Sequence, residues 1–380
     1  MECKKCKGLA TLIIRQKDSY CVNCFIENIN HKFRACIGKN KVISANDKVL
    51  VCLSDGIGST VLLDLLERGI RMNDNKKLRI IPYFFHLVDG SVKDNVNEAT
   101  SLLEKCAKYK FDVYMVHISE YMNTVSILPV PNIIPPQDTK LDNEFQSMRE
   151  HLTRTTTNDF LQKIKRHLFI RFAKLVQCQY IFTAETTTTL AINLLSHITL
   201  GRGSQIEKDV GFCDAGDNEV KILRPMRDIT NEELVHYVTI RGLTATPQYN
   251  APAPKSLQSV IQSFVIDLQE TFPATISTVC KTANKLSSSY NTSSNKCLIC
   301  ESKLQPDSTK LTALEATNFS RMVSLEPREN IFNQICDDDQ KVYEDMFPFV
   351  DKLCYGCSKN HSEMMNCTLP EHLTNSLQMT

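Results

Sequence analysis

Four cysteine pairs, each spaced Cys-x2-Cys, are the residues here most plainly fitted to chemistry: Cys3 and Cys6, Cys21 and Cys24, Cys297 and Cys300, Cys354 and Cys357. Each such turn offers two thiolates, and two turns supply the tetrahedral sulfur set that zinc takes in closed, structural sites. Fourteen residues separate the first two pairs and fifty-three the last two. Four pairs combine into two sites in three ways. The closeness of the N-terminal pairs favours sequential pairing, so one zinc is expected on Cys3, Cys6, Cys21 and Cys24 and another on Cys297, Cys300, Cys354 and Cys357. A small module with little core of its own draws much of its folding free energy from such an ion.

A second stretch is fitted to anions. Val49 to Leu53 is short and almost wholly apolar, as in a parallel strand covered on both faces. Ser54-Asp55-Gly56-Ile57-Gly58-Ser59 follows with two glycines and two serines. Val61, Leu62, Leu65 and Leu66 then recur at helical spacing up to Gly69, a suitable helix stop. Strand, glycine turn and helix make a phosphate-binding layout, because backbone N–H groups and the positive end of the helix dipole meet an anion there. Ser54, Gly56, Gly58 and Ser59 are the candidate nucleotide contacts. The turn resembles the PP-loop, the Ser-Gly-Gly-x-Asp-Ser signature of enzymes that split ATP to AMP and pyrophosphate while adenylating a substrate. Asp55 stands where that signature has glycine, and Gly58 where it has aspartate. A carboxylate at 55 facing the phosphates repels them unless a cation intervenes, so ATP and Mg²⁺ are expected to bind weakly or not at all.

The elements around this turn alternate. Strands are expected over Leu78–Val88, Phe111–Ile118 and Tyr180–Ala184, with helical periodicity in Val96, Ala99, Leu102, Leu103 and Cys106 and again from Leu190 to Ile198. The fold class is therefore α/β: a Rossmann-like parallel sheet of the PP-loop (adenine nucleotide alpha hydrolase-like) kind, with N-terminal and C-terminal four-cysteine zinc modules. Ligands of such sheets bind beyond the carboxyl ends of the strands, where Ser54–Ser59 falls. His86 and His117 read as core or rim residues. Pro129, Pro131, Pro135 and Pro136 mark a loop over 119–141, and Ser287 to Asn295 a polar hinge. These divide the chain into 1–40, 41–286 and 287–380, with Asp337-Asp338-Asp339 read as an exposed insertion.

Lys+Arg 44 against Asp+Glu 43 gives net +1, so no global field draws the chain onto nucleic acid and any RNA surface must be local. Lys163, Lys165, Arg166, Arg171 and Lys174 form the densest basic run and the best candidate for phosphate contacts; a solvated helix face is its plainer reading. Lys32, Arg34, Lys39, Lys41 and Lys48 read as a solvated linker. The longest apolar run, Ile80 to Val88, is interrupted by Pro82 and His86 and too short to span a bilayer. Sixteen cysteines without a secretory leader point to a reducing compartment.

Several of these features occur in an order that resembles one family. The N-terminal Cys-x2-Cys pairs, Leu53-Ser-Asp-Gly-Ile-Gly-Ser-Thr-Val-Leu-Leu63, Phe182-Thr-Ala-Glu-Thr-Thr-Thr-Thr-Leu-Ala191, Leu200-Gly-Arg-Gly203, Leu223-Arg-Pro-Met-Arg-Asp228 and the C-terminal cysteines are similar to cytoplasmic tRNA 2-thiolation protein 2. The resemblance implies a cytoplasmic heterodimer with a PP-loop catalytic thiolase. That heterodimer places sulfur from a thiocarboxylated ubiquitin-like carrier on the wobble uridine of Lys, Glu and Gln tRNAs. Active thiolases of this kind carry Gly-His-Asn-x-x-Asp-Asp, replaced here by Thr183-Ala184-Glu185-Thr186-Thr187-Thr188-Thr189, and a central cysteine pair. Between Cys106 and Cys213 this chain has only Cys178. No nucleophile can be assigned, so no catalytic residue is expected, and Lys163, Lys165, Arg166, Arg171, Lys174 and Arg202 would orient tRNA by phosphate contacts. The competing readings are a self-sufficient ATP-dependent tRNA-adenylating sulfurtransferase and a zinc-ribbon RNA-binding protein.

Overall fold

The N-terminal ribbon pairs β1 (Leu12–Ile14) antiparallel with β2 (Asp18–Tyr20), and α1 (Val22–Asn40) follows directly. The computed structural model describes residues 1–364 and 370, except 15, 74–76, 90–93, 124–127, 246–255, 286–295 and 305–351. The expected hinge and the Asp337–Asp339 insertion lie outside the described residues. Lys32, Arg34 and Lys39 are not in a linker. They lie on α1, whose Phe25, Ile29, Phe33 and Ile37 recur every fourth residue and are all buried in the core of the main domain. Burying each such side chain stabilises by about 1.5–3 kcal/mol, which outweighs the solubility of the lysines between them.

The sheet contains β3 (Asp47–Leu53), β4 (Ile80–Val88), β5 (Val113–His117), β6 (Tyr180–Phe182), β7 (Cys213–Asp214) and β8 (Lys221–Leu223). Its order is β5-β4-β3-β6-β8-β7, parallel throughout except where β7 meets β8. The connecting helices are α2 (Ile57–Arg71), α3 (Asp94–Lys108), α4 (Thr139–Glu150), α5 (Arg154–Leu175), α6 (Thr187–Thr199) and α7 (Ile206–Val210). α8 (Asn231–Arg241), α9 (Leu257–Thr271), α10 (Thr275–Ala283) and α11 (Tyr355–Met364) complete the described α-helices. Successive residues of β3 point to opposite faces. Val49, Val51 and Leu53 pack with α1 and α2, while Leu50 and Cys52 pack with Ile170 and Phe172 of α5. The expected α/β class with a mostly parallel sheet is the one found, the central strand being covered on both sides as its apolar run requires.

One buried acid ties the helices of the first face together. Asp64 on α2 is 1% exposed and accepts hydrogen bonds from Tyr237 Oη (2.7 Å), Tyr109 Oη (3.1 Å) and the Arg241 guanidinium (3.1 and 3.3 Å). Asp64→Ala leaves the buried Tyr237 hydroxyl without its acceptor. The expected loss is about 2–3 kcal/mol, seen as a lower urea midpoint at unchanged slope.

Candidate functional site: a cleft between the glycine turn and the C-terminal cysteines

The glycine turn leaves β3 at Leu53 and enters α2 at Ile57, at the carboxyl end of the sheet's central strand. Its serines bind each other: the Ser54 N–H donates to Ser59 Oγ (2.8 Å), and the two hydroxyls are 3.0 Å apart. Asp55 does not face the turn's anion side, contrary to the expectation from sequence. It is 3% exposed, paired with the Lys105 ammonium and accepting from Ser101 Oγ at 2.9 Å, so α3 neutralises it. Gly58 packs against the segment after β6, where an added Cβ would lie 3.1 Å from the Ala184 carbonyl oxygen. An acid fits there only if the Ala184 backbone gives way.

The Thr183–Thr189 segment is committed to structure. The Thr186 hydroxyl caps α6 by accepting from the Thr189 N–H, with the Thr189 hydroxyl returning the contact to the Thr186 N–H. Thr187 Oγ1 donates to the Arg227 carbonyl (2.7 Å) and Thr188 Oγ1 to Gln269 Oε1 (3.1 Å). Glu185 accepts from Arg224 Nε at 2.7 Å and from the Thr183 hydroxyl at 2.9 Å. Burial opposes the charge on Arg224, but Glu185 and the neighbouring Asp214 outweigh it and raise its pKa. Glu185 and Arg224 were not singled out from the sequence, because nothing in a chain of threonines marks an acid whose partner lies 39 residues on.

Both cysteine groups assemble in sequential pairs. The sulfurs of Cys3, Cys6, Cys21 and Cys24 all lie within 4.8 Å of one another, as do those of Cys297, Cys300, Cys354 and Cys357. Closest printed approaches are 3.7 Å between Cys6 and Cys21 and 3.6 Å between Cys300 and Cys354. A tetrahedron of sulfurs about 2.3 Å from a central ion has edges of about 3.8 Å, so each group fits one metal ion. A four-iron cluster holds its cysteine sulfurs farther apart. Backbone N–H groups of Cys6 and Cys21 lower the Cys3 thiol to about 6, while burial pushes Cys24 up to about 12.

The Leu200–Gly203 motif is the socket of the second group. Gly201 has φ +76° and lies under the Tyr355 ring, which an added Cβ would meet at 2.5 Å. Arg202 is 1% exposed, paired with Asp159 of α5, and donates from Nη2 to Cys357 Sγ at 3.5 Å. Asn360 Nδ2 donates to the other Asp159 oxygen at 2.5 Å. Arg202 is therefore not placed to meet a tRNA phosphate. Asp159, Asn360 and Tyr355 escaped the sequence reading because they lie 43 to 158 residues from Arg202.

The basic run is mostly engaged. Arg166 pairs with Asp214, Lys174 with Asp217 (3.0 Å), and Arg171 donates to the carbonyls of Asn123 (2.6 Å) and Glu120 (3.2 Å). Lys163, Lys165 and Arg166 line a cleft of about 380 Å³ together with Ser54, Ser59, Glu185 and Cys300. The cleft thus runs from the glycine turn to the second cysteine group. His86 and His117 face backbone carbonyls: His86 Nδ1 meets that of Leu53 at 3.0 Å and His117 Nε2 that of Pro135 at 2.9 Å.

A glycine turn at the end of a central parallel strand, flanked by two four-cysteine groups, defines a PP-loop-type α/β protein. The U34-tRNA thiolase NcsA from Methanococcus maripaludis, solved with its 4Fe-4S cluster, shares this fold with a TM-score of 0.60 at 16% identity, over 80% of this chain and 92% of that one. A family profile described as cytoplasmic tRNA 2-thiolation protein 2 matches residues 256–359. Proteins of that name from Danio rerio and Anopheles gambiae are each 30% identical over 85% of this chain, covering 76% and 79% of their own lengths. The one from Xenopus tropicalis is 27% identical over 98% of this chain and 90% of its own. The chain belongs to the cytoplasmic tRNA 2-thiolation protein 2 family.

Burial alone would raise the Asp159 carboxyl, yet the hydrogen bond and charge of Arg202 hold it below the usual value. A depressed carboxyl stabilises above its unfolded pKa of about 3.9, and that contribution is lost as pH falls through the folded value. Asp159→Asn strands the buried Arg202 charge and is expected to cost about 3–5 kcal/mol at neutral pH. Thermal unfolding measures the loss, and faster labelling of the C-terminal cysteines by a thiol reagent locates it.

Proposed function

We propose that this chain is the non-catalytic or co-catalytic subunit of a heterodimeric tRNA thiolase, required for 2-thiolation of the wobble uridine in Lys, Glu and Gln tRNAs. A PP-loop subunit adenylates the uridine, a thiocarboxylated ubiquitin-like protein supplies sulfur, and this chain holds tRNA, in the cytoplasm. One observation carries the reading. The cleft keeps the fold of a nucleotide site while its chemical positions are taken up by packing and internal pairing: Gly58 on Ala184, Glu185 on Arg224, Thr186 on Asn231 of α8, Thr187 on the Arg227 carbonyl and Thr188 on Gln269 of α9. Family membership supports the same reaction. Among the described residues no helix is long and apolar enough to cross a membrane.

Zinc is the proposed ion at both cysteine groups. Thiolate sets with sulfurs 3.6–3.7 Å apart at their closest suit its tetrahedral preference. The chain is read as an α/β body over 41–286 bearing two cysteine modules, 1–40 and 287–380, the first sharing α1 with the body.

A self-sufficient enzyme is the second reading, and Asp55 gives it one point: paired with Lys105, that carboxylate no longer repels phosphates from the turn. The absent acid at 58 and the absent cysteine pair still count against it. The two readings separate by experiment. Deleting the gene should abolish wobble 2-thiolation while the catalytic partner persists, and the purified chain with tRNA and ATP should release no pyrophosphate. Thiolation that survives the deletion sinks the subunit reading; steady pyrophosphate release by the chain alone supports the enzyme. Freshly purified protein should carry two zinc ions, falling to one in Cys6→Ser by elemental analysis.

A further inference from the structure

We propose that the cleft wall built by α5, α6 and α7 binds a phosphate group, through Lys163, Lys165 and Lys208 with His197 beside them. This rests on the tRNA-holding role above and narrows it to a site distinct from the glycine turn. All four residues line the cleft.

The charge balance of that lining leads to the site. Five cationic side chains line it: Lys163, Lys165, Arg166, Lys208 and Arg224. Its three carboxylates are each occupied: Asp214 by Arg166, Glu185 by Arg224, and Asp209 by His197 Nδ1 at 2.5 Å. Among the described residues, none of the three lysines has a carboxylate within ion-pair distance. The second cysteine group adds negative charge at the Cys300 end of the cleft, so what sets these lysines apart is their place in a concave surface rather than on a helix face, where Lys174 is already matched by Asp217. Lysines focused in a cleft draw an anion more strongly than the same charges on an open surface.

His197 is the independent observation. The ring is 6% exposed, its Nδ1 is fixed by Asp209, and its Nε2 has no hydrogen-bond partner. That nitrogen is itself closed to solvent, so a ligand atom in the cleft meets it only as the wall shifts to admit one. At Gly216 the cations gather around a carboxylate: an added Cβ would come 2.9 Å from Arg166 Nη2, 3.0 Å from Asp214 Oδ1 and 3.3 Å from Lys208 Nζ, and Lys296 Nζ donates to the Gly216 carbonyl at 3.0 Å. A phosphate supplies what this wall lacks: oxygens that accept from ammonium groups and, when the ring carries both protons, from His197 Nε2–H. It can come from a nucleotide or from single-stranded RNA, whose splayed nucleotides enter concave sites.

The test uses the full, metal-loaded chain and three probes: AMP, ATP and an anticodon stem-loop RNA. Binding is measured between 50 and 200 mM KCl for wild type, Lys163→Ala/Lys208→Ala, His197→Gln and, as a control on the outer face, Lys174→Ala. The double variant should weaken the bound probe about tenfold and lower the slope of log K against log salt by about 1. His197→Gln should weaken it with zinc content unchanged, and Lys174→Ala should stay within twofold. Tighter binding of the stem-loop than of either nucleotide assigns the phosphate to RNA. If only nucleotides bind and the cleft variants weaken them, the phosphate site stands and the tRNA-holding role falls. Unchanged affinity and slope in the cleft variants overturn the proposal. So does loss of metal with unchanged binding, because the lysines would then serve the Cys300 thiolate, and so does wild-type protein that binds no probe.

Discussion

Arg202 carries a permanent charge in a place almost without solvent, and α5, α11 and the second cysteine group are arranged around it, with Nε left without a hydrogen-bond partner. Asp159 meets it from α5, Cys357 from the cysteine group, and Asn360 closes the far side of the carboxylate. Removing an unpaired guanidinium from water is prohibitive, so these elements hold together or none holds. The pairing fixes α11 against α5 and sets the cysteine group at the cleft's edge, which brings Cys300 into the same lining as the glycine turn. Gly201 and Gly356 are small because Tyr355 and Arg202 fill the space beside them.

The cleft illustrates how a binding fold can keep its shape while the polar groups of its lining differ. Backbone geometry at a strand end depends on the sheet, and the sheet depends on apolar side chains such as Val49, Val51 and Phe182, none of which lines the cleft. The chemical positions are free to change so long as each new polar group finds a partner. Asp55 found Lys105, Glu185 found Arg224, and the threonines found caps and carbonyls. The site is therefore internally complete in most of its polar groups, and the exceptions stand out against that background.

How much was legible in the sequence depended on the distance between interacting partners. The cysteine pairs declare themselves because both ligands of a turn lie within four residues, and the β3–turn–α2 unit because its periods switch within one segment. The basic run was visible as a run, but its counter-charges at Asp214 and Asp217 and the carbonyls that hold Arg171 arrive only with the fold. Arg202 looked like a surface cation for the same reason. The α1 helix is legible as well, since Phe25, Ile29, Phe33 and Ile37 spell a helical stripe that the basic residues between them interrupt in sequence but not in space. Nothing local marks His197, whose partner Asp209 lies twelve residues away with a glycine-bearing turn between them.

Cys21 is the N-cap of α1 and Cys24 lies in its first turn, while the same helix runs on to Ile37 in the main core. The first cysteine group is therefore the anchor of a girder rather than a detachable bead. Oxidation or stripping of those thiols would loosen the start of a helix whose far end supports the sheet, and the disturbance would reach the interior without any change in the nucleotide-like cleft. An ion held by those thiols would thus act on the chain's stability, and its loss would show in the abundance of this protein before the cleft changed.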